Sequence, residues 1–182
     1  MIWIVLAIIA VLVIIAIVTY NGLIRSRNQV ENAWSQIDVQ LKRRIDLIPN
    51  LVETVKAYAA HEKDTLDAVI KARNAAMAAP ADPHAQAAAD TQMTGALRQL
   101  FALSEAYPDL KANQNFLALQ EELSATEGRV AYSRQFYNDS VLSYNNKLQS
   151  FPTMIFANML KFTKREYFEA DEAAREVPKI GF

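Results

Sequence analysis

Residues 1–18 read MIWIVLAIIAVLVIIAIV and contain no charged and no polar side chain. At about 1.5 Å of rise per residue, this stretch forms a helix of roughly 27 Å, close to the hydrocarbon thickness of a bilayer. Because the run is apolar on every face, such a helix must be surrounded either by protein or by lipid. The sequence therefore predicts a transmembrane anchor over residues 1–20.

The residues that flank this run favour a retained anchor over a cleaved signal peptide. Trp3 and Tyr20 bracket the run, and amphipathic aromatic side chains prefer the two membrane interfaces. A signal peptide would have a basic start, a shorter apolar core and a cleavage site of small residues. No Lys or Arg precedes Arg25, and the chain continues through polar residues 19–21.

Charge predicts the orientation of the anchor. Arg25 and Arg27 follow the apolar run, and basic residues stay on the cytoplasmic side of a membrane. We expect a single pass with the N-terminus outside and residues 21–182 in the cytoplasm. The predicted interface anchors are Trp3, Tyr20, Arg25 and Arg27.

Composition excludes several classes of protein. The 182 residues carry a formal net charge of −1, which gives no bulk electrostatic reason to bind nucleic acid. The absence of cysteine rules out disulfides, Cys-ligated metals and thiol catalysis. Only 4 glycines occur, and no glycine-rich phosphate loop is present. Abundant alanine and the lack of alternating apolar runs favour helices.

Apolar residues at steps of three and four predict one long amphipathic helix from Val30 to about Val69. Pro49 lies within it, but the apolar phase is unbroken, so we interpret Pro49 as a kink and not as a helix end. An Ala- and Pro-rich loop is predicted over residues 79–90, with Asp90 or Thr91 capping a short second helix.

A strict seven-residue apolar repeat predicts a third long helix from Phe116, ending at Pro152. A short return segment and a charged tail occupy residues 153–182. The predicted fold is all-α: one transmembrane helix followed by an antiparallel, coiled-coil-like bundle of three to four helices. The predicted packing seam consists of Trp34, Ile37, Leu41, Ile48, Val55, Phe116, Leu123, Val130, Tyr137, Tyr144 and Phe151.

Three blocks of this chain resemble the LemA family. They are RNQVENAWSQIDVQLKRRIDLIPNLVETVKAYAAHEKDTLDAVIKARNAA (27–76), YPDLKANQNFLALQEEL (107–123) and SRQFYNDSVLSYNNKLQSFP (133–152). Lys161-Phe162 stands where the family often has Gly-Phe. The resemblance implies a bacterial helical bundle anchored in the cell (inner) membrane and implies no defined activity. Some members belong to magnetosome-forming bacteria, which makes membrane organisation an analogy.

Polar residues beside the apolar seam allow two interpretations. Carboxylates with basic and amide partners could hold a metal or act as acid and base. We favour instead a network that fixes the register of neighbouring helices. Its predicted members are Arg44, Asp46, Glu53, Glu127, Arg134 and Asn138. His61-Glu62 lacks the second histidine of a zinc motif, because residue 65 is Thr.

The sequence therefore predicts a non-enzymatic interaction or scaffold protein with no cofactor, no metal site and no catalytic residue. Its predicted partners are the lipid bilayer, through residues 1–20, and either further copies of itself or another membrane protein. The alternatives are a self-assembling protein that remodels membranes and, less favoured, a carboxylate-based enzyme or metal-binding bundle.

Overall fold

The computed structural model describes residues 1–169, and no strand occurs in that part of the chain, so the all-α prediction is confirmed there. Residues 170–182 of the predicted tail lie outside the described part. The helices, in chain order, are α1 Ile2–Lys56, α2 Lys63–Ala78, α3 Pro83–Ser104, α4 Pro108–Lys111, α5 Gln114–Gln149 and α6 Thr153–Met159.

The chain divides into two compact units. Unit 1 contains Met1–Gln36 and Gln135–Glu166. Unit 2 contains Ile37–Arg134 and the described residues from Tyr167 onward. Both long helices, α1 and α5, contribute residues to each unit.

In unit 1, α1 and α5 run antiparallel. The rings of Trp34 and Tyr137 are stacked at a tilt, with 5.5 Å between their centroids. Ten residues further along α5, Lys147 Nζ donates a hydrogen bond of 3.2 Å to Ser26 Oγ, eight residues earlier in α1. The last turns of α5 therefore lie beside the part of α1 that follows the apolar run.

Polar side chains of α5 hold the extended segment that follows α6. The Tyr144 hydroxyl donates to the Thr163 carbonyl at 3.1 Å, and Tyr137 donates to the Glu166 carbonyl at 2.9 Å. The buried Asn145 amide forms two bonds of 2.9 Å with the Arg165 backbone, one through each of its polar atoms. These side-chain hydrogen bonds satisfy backbone groups of the extended segment that would otherwise need a neighbouring strand as partner.

Helix α6 ends in a Schellman motif that is closed by a lysine. Phe162 N–H donates to the Ala157 carbonyl at 2.9 Å, and Lys161 N–H donates to Asn158 at 3.3 Å. Lys161 has φ 56°, a left-handed conformation that glycine adopts without steric cost. Lys161, which stands where the LemA family often has Gly, thus has a backbone conformation that favours glycine.

We expect Lys161→Gly to raise the free energy of unfolding by about 1 kcal/mol, because it removes the left-handed penalty of an L side chain. Denaturant unfolding of the full-length protein in mild detergent measures this change. Lys164→Gly is the matched control, since Lys164 has no positive φ. A Lys161→Gly protein that is less stable than the parent would contradict the expectation.

Unit 2 has a continuous apolar core. It joins Ile48, Leu51 and Val55 of α1 to Leu66 and Val69 of α2, and all of these are buried. Residues of α3, α4 and α5 complete it, namely Met93, Leu97, Leu100, Leu110, Phe116 and Leu123. Pro49 lies inside α1 without ending it, as its unbroken apolar phase predicts.

The predicted continuous helix from Val30 to about Val69 is wrong in its continuity. Residues 57–62 form a turn, and α2 starts again at Lys63. This turn contains no Gly or Pro, so it carries no local signal of a break. Partners distant in sequence bond to it: Tyr107 donates to Glu62 at 2.7 Å, and Asn113 donates to the Tyr58 hydroxyl at 2.9 Å.

The predicted loop over residues 79–90 is shorter in the structure. Helix α3 begins at Pro83, and its N-cap is Asp82, whose carboxylate accepts a 2.9 Å hydrogen bond from Ala85 N–H. Asp90 and Thr91 therefore lie within α3 and do not cap it. The physical reason is that Pro is well suited to the first helical position and that the alanines after it are strong helix formers.

We expect Asp82→Ala to lower the free energy of unfolding by about 1 kcal/mol, because it leaves a backbone donor in the first turn of α3 unsatisfied. Asp82→Asn keeps an acceptor at the same position and should retain most of the stability. Denaturant titrations of both variants measure the difference. Equal losses in the two variants would show that the cap bond contributes little.

Candidate functional site

The first surface of interest is the exposed apolar start of α1. Among the described residues, α1 is the helix that is long and apolar enough to cross a membrane, and its apolar window is not buried against protein. Ile4, Leu12 and Val18 are 64%, 58% and 64% exposed. The long apolar N-terminal helix that the sequence predicts is therefore present, and it fits a membrane anchor.

The four predicted interface anchors lie along α1 in unit 1. Trp3 is exposed near the start of the helix, and Arg25 is exposed after the apolar run. Tyr20 makes an edge-to-face contact with Phe162, with 6.4 Å between ring centroids. The Arg27 guanidinium lies 6.0 Å from the centroid of the same ring, within cation–π range. The Phe162 ring thus contacts two of the four predicted interface anchors, Tyr20 and Arg27.

The second feature is a buried ion pair in unit 2. Arg44 Nη1 donates a 2.7 Å hydrogen bond to Asp90 Oδ1. The two side chains are only 3% and 13% exposed, so both charges are largely removed from water. Arg44 lies among the apolar residues of α1, between buried Leu41 and Ile48. The Nε of Arg44 is also buried and has no hydrogen-bond partner among the described residues.

The ion pair borders a cavity of about 360 Å³ between side chains of α1, α3 and α5. Its lining residues are Arg44, Asp90, Thr91, Thr94, Gly95, Arg98, Glu127, Val130, Ala131 and Arg134. Burial raises the pKa of the Asp90 carboxyl above its usual range. The Arg44 charge, its hydrogen bond and the Arg134 charge lower that pKa, whereas the Glu127 charge raises it.

The structure assembles part of the polar network predicted from the sequence. Arg44, Glu127 and Arg134 line this one cavity. Asp46 and Glu53 do not belong to it, because both lie on the exposed face of α1. Their spacing from Pro49 suggested a site, but the helix turns them toward solvent. Asn138 is half-buried in unit 1.

Asp90 is the residue that the sequence interpretation missed. The sequence predicts that Asp90 caps a helix, yet Asp90 is the direct partner of Arg44. Two signals could have revealed the pair. Arg44 lies on the apolar face of α1. Asp90 precedes Met93 by three residues and so lies on the same apolar face of α3 as Met93, Leu97 and Leu100. A buried cation requires a nearby anion.

The predicted seam residues are distributed as follows. Most members are buried, and they are Ile37, Leu41, Ile48, Val55, Phe116, Leu123, Val130, Tyr137 and Tyr144. Trp34 is half-buried against Tyr137. Phe151 is the exception: it lies beyond the end of α5 and is 80% exposed, so it does not pack as the heptad predicts.

The charged side chains of the described residues do not cluster as metal ligands do. Within residues 1–169, no group of three or more His, Asp or Glu side chains lies close enough to hold a metal ion. In the Arg44 cavity the Asp90 carboxylate pairs with the Arg44 guanidinium, and this pair links α3 to α1.

A family model matches most of this chain. The model describes the LemA family and aligns with residues 33–182. The chain belongs to the LemA family. The match covers all of unit 2 and the α5–α6 half of unit 1, so the Arg44–Asp90 pair and the Phe162 contact both lie in the family region.

Curated relatives extend the similarity toward the N-terminus. Protein LemA of Metamycoplasma hominis is 28% identical over 155 residues, which cover 85% of this chain and 71% of the relative. Magnetosome protein MamQ 2 of Paramagnetospirillum magneticum is 24% identical over 205 aligned positions, covering 96% of this chain and 75% of the relative. Magnetosome protein MamQ of Magnetospirillum gryphiswaldense is 24% identical, covering 94% and 74%.

Proposed function

We propose that this LemA-family protein is a single-pass, membrane-anchored helical scaffold of the bacterial inner membrane, acting through contacts and not through catalysis. Residues 1–20 cross the bilayer. Residues 21–182 form an antiparallel, coiled-coil-like bundle in the cytoplasm that binds further copies of the chain or another membrane protein. The observation that supports the proposal most is the apolar start of α1, which is not buried against protein.

Water is an unfavourable environment for this segment. Burying one Leu, Ile or Val side chain contributes about 1.5–3 kcal/mol, and nearly all those in residues 2–18 are more than half exposed. A contiguous patch of this size marks a membrane or protein contact. A bilayer covers such a helix on every face, and the helix satisfies its own backbone hydrogen bonds there.

The charge around the anchor supports a cytoplasmic position for the bundle. No Asp or Glu precedes Glu31, whereas Arg25 and Arg27 follow the apolar run within ten residues of it. The positive-inside rule places this arginine pair in the cytoplasm. The Arg27 guanidinium lies against the Phe162 ring and 3.8 Å from Glu31, and the Arg27 side chain is 40% exposed.

The orientation is tested by protease protection. Protease added to intact spheroplasts should leave the full-length protein uncleaved, and lysis should make the exposed residues of the bundle accessible. Cleavage of the bundle in intact spheroplasts would overturn the proposed topology. A protein that alkaline carbonate extracts from the membrane would overturn the anchor itself.

The contact role is tested by crosslinking in native membranes. The bundle exposes large apolar side chains on α5, with Tyr132 72% and Leu117 47% exposed. We expect a specific crosslinked dimer or a crosslinked partner in place of a monomer. A strictly monomeric protein that captures no partner would contradict the proposal. Deformation of vesicles by the purified protein would instead favour the alternative, a membrane-organising role, by analogy with the relatives that are named magnetosome proteins.

A further inference from the structure

Helix α6 and its flanks expose an apolar surface in unit 1. Of its described side chains only Ala157 is fully buried. The exposed members are Phe151 80%, Met154 44%, Ile155 54%, Met159 66% and Leu160 45%. Ile155 and Met159 are four residues apart and so share one face of the helix. We call this set the α6 surface.

The α6 surface lies at the level where the predicted anchor leaves the membrane. The chain leaves α6 through Leu160 and reaches Phe162 two residues later. The Phe162 ring contacts Tyr20 with 6.4 Å between centroids, and Tyr20 is the aromatic residue that closes the apolar run. Lys147, two residues before α5 ends, bonds to Ser26. The segments before and after α6 are therefore both tied to residues 20–27 of α1.

Basic residues outnumber acidic ones around this surface, where Glu31 pairs with Arg165 at 3.2 Å and with Arg27 at 3.8 Å. No Asp or Glu occurs in residues 1–30 or in residues 140–165, the two segments that meet here. Exposed Lys161, Lys164 and Arg25 lie within these segments. Lys161 adopts a left-handed conformation in which glycine would be favoured. Apolar side chains with a basic border are typical of segments that lie in a membrane surface and contact anionic headgroups.

We propose that the α6 surface is a second membrane contact: α6 lies in the cytoplasmic interface beside the anchor, with its apolar side chains at the boundary of headgroups and acyl chains. This inference rests on the proposed anchor. The anchor supplies the high local concentration of lipid that lets a seven-residue helix bind.

The absence of cysteine makes a direct test simple, because single cysteines can carry a spin label without removing native thiols. We would label Ile155→Cys and Met159→Cys in the full-length protein, reconstituted in phosphatidylcholine vesicles that contain phosphatidylglycerol. Leu12→Cys reports on the anchor. Leu142→Cys is the matched aqueous control, since Leu142 is a 49% exposed apolar residue of unit 1 on α5.

Power-saturation measurements compare the collision of each label with oxygen, which partitions into lipid, and with a water-soluble nickel complex. We expect a higher oxygen-to-nickel ratio at residues 155 and 159 than at residue 142, and the highest ratio at residue 12. A water-like ratio at 155 and 159 together with a lipid-like ratio at 12 would overturn this inference and leave the anchor standing. A water-like ratio at 12 would overturn the anchor as well.

A second copy of the chain is the alternative occupant of the α6 surface. Two results together would show that protein covers the α6 surface. The labels at residue 155 would show dipolar broadening that is lost on dilution with unlabelled protein, and they would be poorly accessible to both oxygen and the nickel complex. That result would also overturn the inference. Lipid contact predicts spectra that do not change on dilution.

Discussion

Arg44→Met should lower the free energy of unfolding by about 3 kcal/mol at neutral pH, because it leaves the Asp90 carboxylate buried without its cation. Removal of one partner from a buried pair is costly because the remaining charge has lost its access to water. Methionine fills much of the arginine volume, so little of the loss would come from a cavity. Denaturant unfolding of full-length protein in mild detergent measures this cost.

Arg43→Met is the matched control. Arg43 is the neighbouring residue of the same helix and pairs with Glu122, but its side chain is 50% exposed. We expect a loss of less than about 1 kcal/mol, because solvent screens exposed ion pairs. Similar losses in the two variants would show that burial does not set the strength of the Arg44 pair.

The cost of Arg44→Met should depend on pH. The Arg44 charge lowers the pKa of Asp90, so its removal raises that pKa further above the value in the unfolded chain. A carboxyl with a raised pKa in the folded state gives stability that is present at low pH and is lost as pH rises through the folded pKa. The difference between the variant and the parent should therefore shrink on acidification.

A double variant separates the two roles considered for this cluster. Arg44→Met with Asp90→Leu replaces the pair by apolar side chains, and such replacements of buried pairs are often neutral or stabilising. We expect the double variant to be more stable than Arg44→Met alone and to keep its membrane location and its crosslinked species. Loss of the crosslinked species in a stably folded double variant would show that the pair serves the function directly.

Leu12→Arg combined with Ile9→Arg should remove the protein from the membrane. Each arginine at the centre of a membrane helix costs about 2.5–3.5 kcal/mol on insertion scales, so the pair opposes insertion by about 5–7 kcal/mol. Ile9 and Leu12 are three residues apart and lie on one face, where no partner for an arginine is available among the described residues. We expect the protein to shift from the carbonate-resistant membrane fraction to the soluble or aggregated fraction.

Leu142→Arg is the control for this pair of substitutions. Leu142 is as exposed as the residues of the apolar run, but it lies on α5, far along the chain from that run. We expect Leu142→Arg to leave the protein in the membrane fraction. A carbonate-resistant double variant, with arginine at both positions, would mean that residues 1–20 do not anchor this protein.

Local pattern by itself determined the helical class, the apolar N-terminal helix, the passage of α1 through Pro49 and the extent of α5. These features follow from apolar periodicity and from residue composition, which act over a few neighbouring residues. The same patterns correctly indicate that most of the seam residues are buried. The family was recognisable from long blocks of sequence.

Tertiary contacts alone decided the remaining features. The turn over residues 57–62 has no Gly or Pro and is set by bonds from Tyr107 and Asn113, which lie about 45–55 residues away. The pairing of Arg44 with Asp90 spans 46 residues, and no local periodicity specifies which acid a buried arginine will meet. The exposure of Phe151, which the heptad places in the seam, likewise belongs to the packed structure, because α5 ends at Gln149 before reaching it.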